Sequence, residues 1–384
     1  MKAWVVRDFA KPMSLESLKS PELSNPEQII VEVKAAGVNP IDTMMCKGYG
    51  NAILSLKKKI EEKRTVSRLP FVGGREFSGV VVCCGGNVKR FKEGDQVMGV
   101  VGPTYMGSHA EYVLVKESWC CEKPSKISFV EAASVLYSAC TAWSALISVA
   151  RLNPNGCGNI RVLINGGSGS VGTIAIQMLK AWGASVVAST CSPKNRSLVQ
   201  SLGAVPVDYT NEPAAKKQLS SIGPFDVILD CVESDLAEWS DNLLGVWRNS
   251  VHVSLISPVL RDTDRLVHFY INAIFVVFKS LHLRYGIVPG ALSVAAKYFR
   301  RSALPAVRGR WFSYAYFAPH LMCLEAMKNF INNGKLKPVV ERTYAFADLP
   351  AAYEKVSKKH GCGKTVIDFR YGFFRSIYHY LYGI

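Results

Sequence analysis

The sequence lacks the spacing of cysteine and histidine that a metal site needs. Its 11 cysteines include two adjacent pairs, Cys83-Cys84 and Cys120-Cys121, and the others are isolated. No C-x-x-C occurs, and no cluster of Cys and His has the spacing of zinc ligands. We therefore predict reduced thiols in a reducing compartment and no bound metal.

The chain also lacks a long apolar run and a recognisable leader. Its longest apolar stretch, Ile271–Phe278, ends at Lys279, whereas a membrane-spanning helix needs about 20 apolar residues. Strand-like residues begin at Ala3, and nothing before them resembles a secretory signal or an Arg- and Ser-rich presequence. We expect a transit peptide to be absent or already removed.

Acidic residues are few relative to basic ones. The 384 residues include 46 Lys and Arg against 30 Asp and Glu, which gives a formal net charge of +16. This charge favours an anionic partner, such as a phosphorylated cofactor, an acidic membrane surface or a nucleic acid. No RNA-binding signature or zinc-finger spacing is present, so we expect no nucleic acid. The length suits two or three domains or one large two-part fold.

A glycine-rich turn is the most informative segment that is present. Gly167, Gly169 and Gly172 have G-x-G-x-x-G spacing, between the strand-like residues Val162–Ile164 and a helical pattern that begins at Thr173. This order of strand, turn and helix predicts a dinucleotide site. We expect the first glycine to allow a tight turn, the second to let a pyrophosphate approach, and the third to let helix and strand pack closely. The helix N-terminus would offer N–H groups to the anion.

The hydrophobic period changes along the chain. Residues 1–134 read as strands and turns, with a helical flap at Ala52–Arg68, whereas strand and helix patterns alternate from about residue 132 to 256. This alternation predicts an α/β fold with a doubly wound parallel sheet. Two interpretations stay open for the aromatic segments Val267–Arg301 and Arg370–Ile384. Each is either a helix packed on its own domain or a contact with a membrane surface or partner.

Several segments together form the pattern of a known family. They are AAGVNPID (35–42), GGREFSGVVV (73–82), FKEGDQVM (91–98), NGGSGSVGTIAIQ (165–177) and GKTVIDF (363–369). On these segments the chain resembles the zinc-free quinone oxidoreductase branch of the medium-chain dehydrogenase/reductase superfamily. The resemblance implies a Rossmann NADPH-binding domain at 135–317, inserted into a GroES-like β-barrel catalytic domain that 1–134 begins and 318–384 completes.

Within that branch, NPIDTMMCKGY (39–49) and PFDVILD (224–230) are similar to a group of reticulon-interacting mitochondrial oxidoreductases. The similarity implies a mitochondrial location, a link to ubiquinone metabolism, and a monomer or homodimer. It also implies a second class of function, in which the chain binds NADPH with little turnover and docks on a membrane or a reticulon-like partner through its aromatic tail.

Zinc enzymes of the superfamily carry metal ligands that this chain replaces. They use a Cys in the segment where this chain has Ile41-Asp42, and Gly-His-Glu where it has Gly74-Arg75-Glu76. Because both ligands are absent, a metal cannot activate the substrate as a Lewis acid. We therefore expect hydride acceptors that need no metal, namely quinones or α,β-unsaturated carbonyls.

The end of the second strand predicts the choice of nicotinamide cofactor. NAD sites place a carboxylate there, about 20 residues after the glycines, but this chain has Cys191-Ser192-Pro193-Lys194. Ser192 can donate a hydrogen bond, and Lys194 or Arg196 can supply charge to a 2′-phosphate, so we predict NADPH. The alternative, in which both basic residues only decorate a helix start, stays open. By resemblance, Tyr209 reaches the adenosine phosphate.

The remaining site residues are predicted in two sets. For the cofactor they are Ser168, Gly169, Ser170, Val171 and Gly172 in the phosphate cradle, Asp230, Cys231 and Leu255 at strand ends, and by resemblance Phe312, Tyr314, His360, Gly361 and Cys362. The resemblance places Asn39, Asp42, Tyr49 and Tyr137 near the cleft as catalytic candidates. Asn39 and Tyr49 could donate to a carbonyl oxygen, whereas Asp42 could equally be a turn residue. We expect a structural role for His109.

Overall fold

The computed structural model describes residues 1–62, 69–232, 234–246, 248–256, 306–358 and 361–370. Its strands are β1 (Lys2–Val6), β2 (Ser14–Ser17), β3 (Gln28–Val38), β4 (Phe71–Val72), β5 (Glu76–Cys84), β6 (Gln96–Val100), β7 (Tyr112–Lys116), β8 (Cys120–Glu122), β9 (Arg161–Asn165), β10 (Val186–Cys191), β11 (Val205–Asp208), β12 (Val227–Asp230), β13 (Ser250–Ser254), β14 (Arg310–Tyr314), β15 (Val340–Ala345) and β16 (Lys364–Asp368). Its helices are α1 (Pro40–Met45), α2 (Asn51–Glu62), α3 (Phe129–Ala132), α4 (Leu136–Trp143), α5 (Ser170–Ala181), α6 (Arg196–Ser201), α7 (Glu212–Ile222), α8 (Asp235–Trp239), α9 (Leu321–Asn332) and α10 (Leu349–Ser357). These strands form three sheets.

Six strands form a parallel sheet in the order β11-β10-β9-β12-β13-β14. Val162 of β9 packs in the same cluster as Ile174 of α5, whereas Leu163 packs in another cluster with Leu219 of α7. Burial on both faces explains why β9 is apolar throughout. The chain leaves β9 first toward β10 and later toward β12, so the predicted doubly wound sheet is confirmed. In open α/β sheets the ligand crevice lies where the strand order reverses, which in this sheet is the carboxyl end of β9.

The second large sheet joins the two ends of the chain. It has seven strands in the order β15-β16-β3-β5-β6-β8, and β7 also pairs with β3. One edge of β3 pairs with β5, while its other edge pairs with β7 along Gln28–Glu32 and with β16 along Ala35–Val38. The 11-residue β3 can therefore hold three partners. This arrangement brings the tail strand β16 against the start of α1.

The residues Glu131–Ala150 are helical in pattern throughout, but in the structure they do not form one continuous α-helix. They contribute to α3, α4 and a wider π-helical turn at Ser144–Val149. The stretch Phe129–Val149 is long and apolar enough to cross a membrane, but 72% of its most apolar window is buried inside the protein. It is therefore a core element between the two large sheets, and burial accounts for its composition.

The remaining differences between the sequence predictions and the structure are at short or peripheral elements. The three-stranded sheet β2-β1-β4 contains two strands that the sequence patterns did not predict, because β2 and β4 have four and two residues. The predicted flap at Ala52–Arg68 is helical over the α2 residues, and 63–68 lie outside the described residues. Val267–Arg301 and residues 371–384, for which two interpretations were open, also lie outside them.

Candidate active site

The glycine-rich turn forms an open cradle at the N-terminus of α5. Gly169 caps the helix in an extended conformation, and no side chain caps the first N–H groups. A Cβ at Gly169 would have only the Gly166 carbonyl oxygen near it, at 3.5 Å. The free first-turn N–H groups and the open space together suit a phosphate. Ser168, Ser170 and Val171, which we predict to contact the phosphates, lie in this turn.

The other glycines are required by close contacts. A Cβ at Gly167 would lie 1.8 Å from Ser189 Oγ, and one at Gly172 would lie 2.3 Å from the Gly166 oxygen. The left-handed backbone is at Gly166, with φ of 88°, rather than at Gly167, where we had placed the tight turn. Gly167 instead lets the turn pack on β10.

The tail of the chain meets this cradle. The Gly363 N–H donates to the Ser168 oxygen at 2.8 Å, and Gly363 pairs with Gly169 as an isolated parallel bridge. Asn195 Nδ2 donates to Ser168 Oγ at 3.0 Å. The predicted residues Gly361 and Cys362 therefore lie beside the phosphate cradle. His360 lies outside the described residues.

Basic side chains from two separate elements converge near Cys362. Burial raises the pKa of the Cys362 thiol, and the charges of Lys194 and Lys355 act against this rise. Burial lowers the pKa of Lys355, and its neighbour Lys194 lowers it further. Lys355 of α10 also forms an ion pair with Glu341. Sequence reasoning missed Lys355, since one lysine on an amphipathic helix gives no local signal.

The end of β10 carries no carboxylate of its own. Ser192 is half-buried, and Lys194 and Arg196 are exposed. The neighbouring strand contributes Asp208, whose Oδ1 accepts hydrogen bonds from the N–H and the hydroxyl of Thr210. The Tyr209 N–H donates to the Cys191 oxygen at 3.4 Å, which brings Tyr209 next to Ser192.

Asp230, at the end of β12, forms hydrogen bonds with neighbouring residues of the protein. Its Oδ1 accepts from the Val232 N–H and its Oδ2 from Ser254 Oγ, both at 3.0 Å. Burial raises the pKa of the adjacent Cys231 thiol, and Asp230 adds to the rise. The predicted Leu255 donates its N–H to the Asp230 oxygen.

Two aromatic residues of β14 continue this strand-end surface. Phe312 is buried against His252, with ring centroids 5.3 Å apart, and Tyr314 contacts Phe312 edge-on at 5.1 Å. His252 forms a hydrogen bond with Asp241 and lies 3.9 Å from Asp230 Oδ2. The ends of β12, β13 and β14 therefore form one continuous edge.

Asp42 and Arg75 lie in the two segments where, by resemblance, zinc ligands were expected and are replaced. Asp42 Oδ2 accepts from the Asn39 N–H at 2.8 Å, and its Oδ1 accepts from the Gly74 N–H at 3.0 Å. Burial raises the pKa of Asp42, and Arg75, whose Nε lies 3.8 Å from Oδ1, opposes the rise. These contacts give Asp42 the turn-stabilising role that the sequence had left open.

The Arg75 guanidinium fills the space behind Asp42. It donates to the carbonyl oxygens of Val72, Gly102 and Tyr105 at 2.8–3.1 Å. A guanidinium has no lone pair for a metal. Within the described ranges, no group of three or more His, Cys, Asp or Glu side chains is placed to hold a metal ion.

A second buried charge pair lies beside Asn39. Lys364 Nζ lies 2.5 Å from Glu76 Oε1 and 2.7 Å from Asn39 Oδ1, and Asn39 Nδ2 lies 3.0 Å from the same Glu76 oxygen. The Tyr137 N–H donates to Glu76 Oε2 at 3.1 Å. We call Asn39, Glu76 and Lys364 the Asn39 group. Sequence reasoning predicted only Asn39, because 325 positions separate Asn39 from Lys364.

The other catalytic candidates have different surroundings. The Tyr137 ring stacks on Phe317, with centroids 4.2 Å apart, and burial raises the pKa of its hydroxyl. Tyr49 is half-buried in the turn between α1 and α2, where its N–H donates to the Met44 oxygen. The structure thus brings Asn39, Asp42 and the Tyr137 backbone together around Glu76 and Arg75.

His109 is buried and neutral. Burial lowers the pKa of His109 to about 3. Its Nδ1 lies 2.9 Å from Tyr353 Oη, and its Nε2 lies 3.3 Å from the Gly37 oxygen. Because a carbonyl only accepts, we assign the proton to Nε2. These contacts support the structural role that we expected.

Comparisons with known proteins identify the class of protein that this fold and site define. A family profile described as alcohol dehydrogenase GroES-like domain matches residues 25–125, and one described as zinc-binding dehydrogenase matches residues 202–367. The chain belongs to the medium-chain dehydrogenase/reductase superfamily, whose members combine a GroES-like domain with a Rossmann-like sheet. It is an NAD(P)H oxidoreductase of that superfamily, and therefore uses a nicotinamide cofactor.

Individual relatives narrow the comparison further. The chain is 43% identical over 370 residues to "Reticulon-4-interacting protein 1, mitochondrial" from Caenorhabditis elegans, with 96% of this chain and 95% of the relative covered. It is 37% identical over 372 residues to "NAD(P)H oxidoreductase RTN4IP1, mitochondrial" from Homo sapiens, with 96% and 89% covered. Among solved structures, the quinone oxidoreductase from Coxiella burnetii has a TM-score of 0.70 at 25% identity, with 96% and 99% covered. Close relatives across animals are thus mitochondrial.

Proposed function

We propose that the protein is an NADPH-dependent oxidoreductase that transfers a hydride to a quinone or an α,β-unsaturated carbonyl without a catalytic metal. The observation that carries this proposal is the set of side chains at the expected metal position. Arg75 and Lys364 offer no lone pairs to a metal, and the Asn39 amide beside Lys364 can donate to an oxygen that gains negative charge. The solved quinone oxidoreductase with the same fold supports the acceptor class.

The proposed cleft lies between two domains. We divide the chain into residues 1–134 with 318–384, and residues 135–317. The sheets support this division, because β1–β8 join with β15 and β16 in two sheets whereas β9–β14 form the third. The cradle is on the β9–β14 side and the Asn39 group is on the other, so a cofactor in the cradle would extend toward Asn39.

The residues present fit a dinucleotide. The uncapped first turn of α5 would hold the pyrophosphate, since its N–H groups have no side-chain partner, and Gly169 leaves the space open. Lys194, Lys355 and Ser192 would hold a 2′-phosphate, which supports NADPH over NADH. Asp230 would hold the turn after β12 in place, because its oxygens accept hydrogen bonds from Val232 and Ser254.

The chain's own residues would then orient and stabilise the acceptor. Bound NADPH supplies the hydride from its nicotinamide ring. Asn39 donates a hydrogen bond to the carbonyl oxygen of the acceptor, which gains negative charge as the hydride arrives. Asp42 holds the start of α1 against Gly74 and so fixes Asn39 at the helix N-terminus. Neutral His109 keeps Tyr353 in place and moves no proton.

Oxidation of NADPH with a panel of quinones and enones tests the proposal. We expect turnover with at least one acceptor, and we expect a chelator to leave the rate unchanged. Binding of NADPH without turnover of any acceptor would contradict the enzyme and favour an interaction protein. A rate that falls on chelation and returns with zinc would contradict metal-free transfer.

The cofactor preference has its own test at Lys194. We expect Lys194→Glu to weaken NADPH binding about 30-fold, since it replaces a charge-assisted contact with repulsion. NADH binding should change much less, because NADH has no 2′-phosphate. Lys217→Glu, an exposed lysine of α7, is the matched control and should leave both affinities unchanged. Equal losses for the two cofactors would contradict a 2′-phosphate site.

The second candidate function is binding to a partner protein or membrane, and the name of the nematode relative favours it. We propose a mitochondrial location with a link to ubiquinone metabolism, and a reticulon-like or peripheral membrane contact through the aromatic tail. Deleting Arg370–Ile384 should abolish binding to a reticulon fragment or to liposomes and leave NADPH affinity unchanged. Undiminished binding after the deletion would count against this role. Light scattering on the same samples tests the expected monomer or homodimer.

A further inference from the structure

The Asn39 group fixes one orientation of the Asn39 amide. A carboxylate only accepts hydrogen bonds and an ammonium only donates them. Glu76 Oε1 lies 3.0 Å from Asn39 Nδ2, and Lys364 Nζ lies 2.7 Å from Asn39 Oδ1. An amide turned by a half rotation would place its NH₂ against the ammonium and its oxygen against the carboxylate. Only one of the two orientations is therefore compatible with the charge pair.

The surroundings make this arrangement rigid. Asn39, Glu76 and Lys364 are 2%, 0% and 2% exposed, so an unsatisfied partner would be costly. Glu76 Oε1 occupies space that a side chain at position 37 would fill, since a Cβ at Gly37 would lie 2.4 Å from it. The other Glu76 oxygen is held by the Tyr137 N–H.

The group also adjoins the phosphate cradle. Lys364 directly follows Gly363, which pairs with Gly169 of the cradle. Asn39 directly precedes α1 and is held there by Asp42. One N–H of the Asn39 amide goes to Glu76, and an amide NH₂ has a second one. Within the described residues no acceptor contacts that second N–H.

We propose that Lys364 is a positioning residue that, with Glu76, aims the second Asn39 N–H at the carbonyl oxygen of the hydride acceptor. The inference rests on the proposed function. The hydride adds to a carbon of the acceptor, the electron pair of the reduced double bond moves to the oxygen, and solvent supplies the proton that completes the reduction. Lys364 stabilises this oxygen through the orientation of Asn39 and does not touch it.

A double-mutant cycle separates positioning from general stabilisation of the fold. We expect Asn39→Leu to lower kcat about 100-fold, the effect of losing one oxyanion donor, and Lys364→Met to lower kcat about tenfold. In the Asn39→Leu background, Lys364→Met should have almost no further effect on kcat. Lys364→Arg, which still donates to Asn39 and Glu76, should restore most of the rate. Lys19→Met, an exposed lysine, is the matched control and should match the unmutated protein.

Lys364→Met leaves the buried Glu76 carboxylate without its charge partner, which could destabilise the fold. A second variant therefore tests the inference without that unpaired charge. The Lys364→Met/Glu76→Gln variant leaves no charge within the Asn39 group, and its Gln can accept either orientation of Asn39. We expect it to fold and to show the same lowered kcat with little change in KM or in NADPH affinity. Independent effects of Asn39 and Lys364 on kcat would overturn the inference.

A spectroscopic readout tests the inference even without turnover. In protein labelled with ¹⁵N-asparagine, the Asn39 side chain is assigned by the signal that Asn39→Leu removes. We expect one Asn39 amide proton to exchange slowly and the other quickly, and Lys364→Met to abolish this difference. If no acceptor is reduced but the difference is present and depends on Lys364, the proposed function fails and the positioning stands. If Lys364→Met leaves the exchange unchanged, the positioning is wrong.

Discussion

The phosphate cradle and the Asn39 group adjoin each other but are built by opposite means. The cradle uses backbone N–H groups and depends on the absence of side chains at Gly167, Gly169 and Gly172. The Asn39 group uses charged side chains that are at least 98% buried. The cradle should bind an anion whose charge stays the same through the reaction. The Asn39 group should stabilise the negative charge that develops on the acceptor during the reaction. The difference predicts that substitutions in the cradle alter affinity, whereas those in the Asn39 group alter rate.

Gly172→Ala should break the cradle and have the largest effect. Its Cβ would lie 2.3 Å from the Gly166 oxygen and 2.6 Å from Gly167 Cα, which are backbone atoms that cannot turn away. We expect NADPH affinity to fall more than 100-fold and the free energy of unfolding to fall by about 3 kcal/mol. Fluorescence titration and chemical denaturation measure these quantities. Gly158→Ala, where a Cβ meets nothing within 4 Å, should be neutral.

Gly37→Ala should break the Asn39 group instead. Its Cβ would lie 2.4 Å from Glu76 Oε1 and 2.6 Å from the Ala133 oxygen. We expect the free energy of unfolding to fall by about 2 kcal/mol, and kcat to fall about tenfold as Asn39 loses its orientation. NADPH affinity should change less than threefold, a bound set by the intact cradle. Gly86→Ala, which also meets nothing within 4 Å, is the control. A larger loss of affinity than of rate would contradict the comparison.

The smallest expected effect is on the pH dependence of stability, and it concerns His109, which lies outside both the cradle and the Asn39 group. The pKa of His109 is lowered by burial from 6.5 to about 3. Between these values the unfolded chain binds a proton that the folded chain does not. The stabilising contribution is therefore complete above pH 6.5 and is lost as the pH falls toward 3, by about 1.4 kcal/mol per pH unit.

His109→Gln isolates this contribution. A Gln can donate to the Gly37 oxygen and accept from Tyr353, but it does not titrate. We expect the variant to show a flatter dependence of unfolding free energy on pH between 4 and 6, a window within which His109 would titrate, measured by denaturation at each pH. NADPH affinity should remain unchanged, because His109 does not contact the cradle. An unchanged slope would show that other groups cause the acid instability.

The sequence patterns predicted the parallel sheet well and the other sheets less completely. Each strand from β9 to β12 is short and followed by a helical pattern, so local periodicity identified it. Strand β2 is mostly exposed and β4 has only two residues, so neither carries a periodic signal. The helix break between α3 and α4 escaped prediction because Ala133, Ser134 and Val135 fit a helical pattern equally well.

The same contrast holds at the site. The cradle is one continuous segment, so its residues could be named from the chain alone. Lys355, Glu76 and Lys364 could not be named from the chain alone. Each is an ordinary residue of a helix or strand, and only the folded chain brings residues near its C-terminus against residues near its N-terminus. Position 75 was recognised as a lost metal ligand, but its three carbonyl partners depend on loops that the sequence does not place.

The sequence by itself determined that a strand, a glycine turn and a helix would follow one another and leave free N–H groups at the helix N-terminus, because short-range sterics decide that locally. It also predicted that the expected zinc ligands are replaced, and it places no carboxylate among residues 191–194 at the end of β10. Only the tertiary structure decided which charges meet. Pairing of β16 with β3 carries Lys364 to Asn39 and Glu76, and burial then leaves these groups no partners but each other.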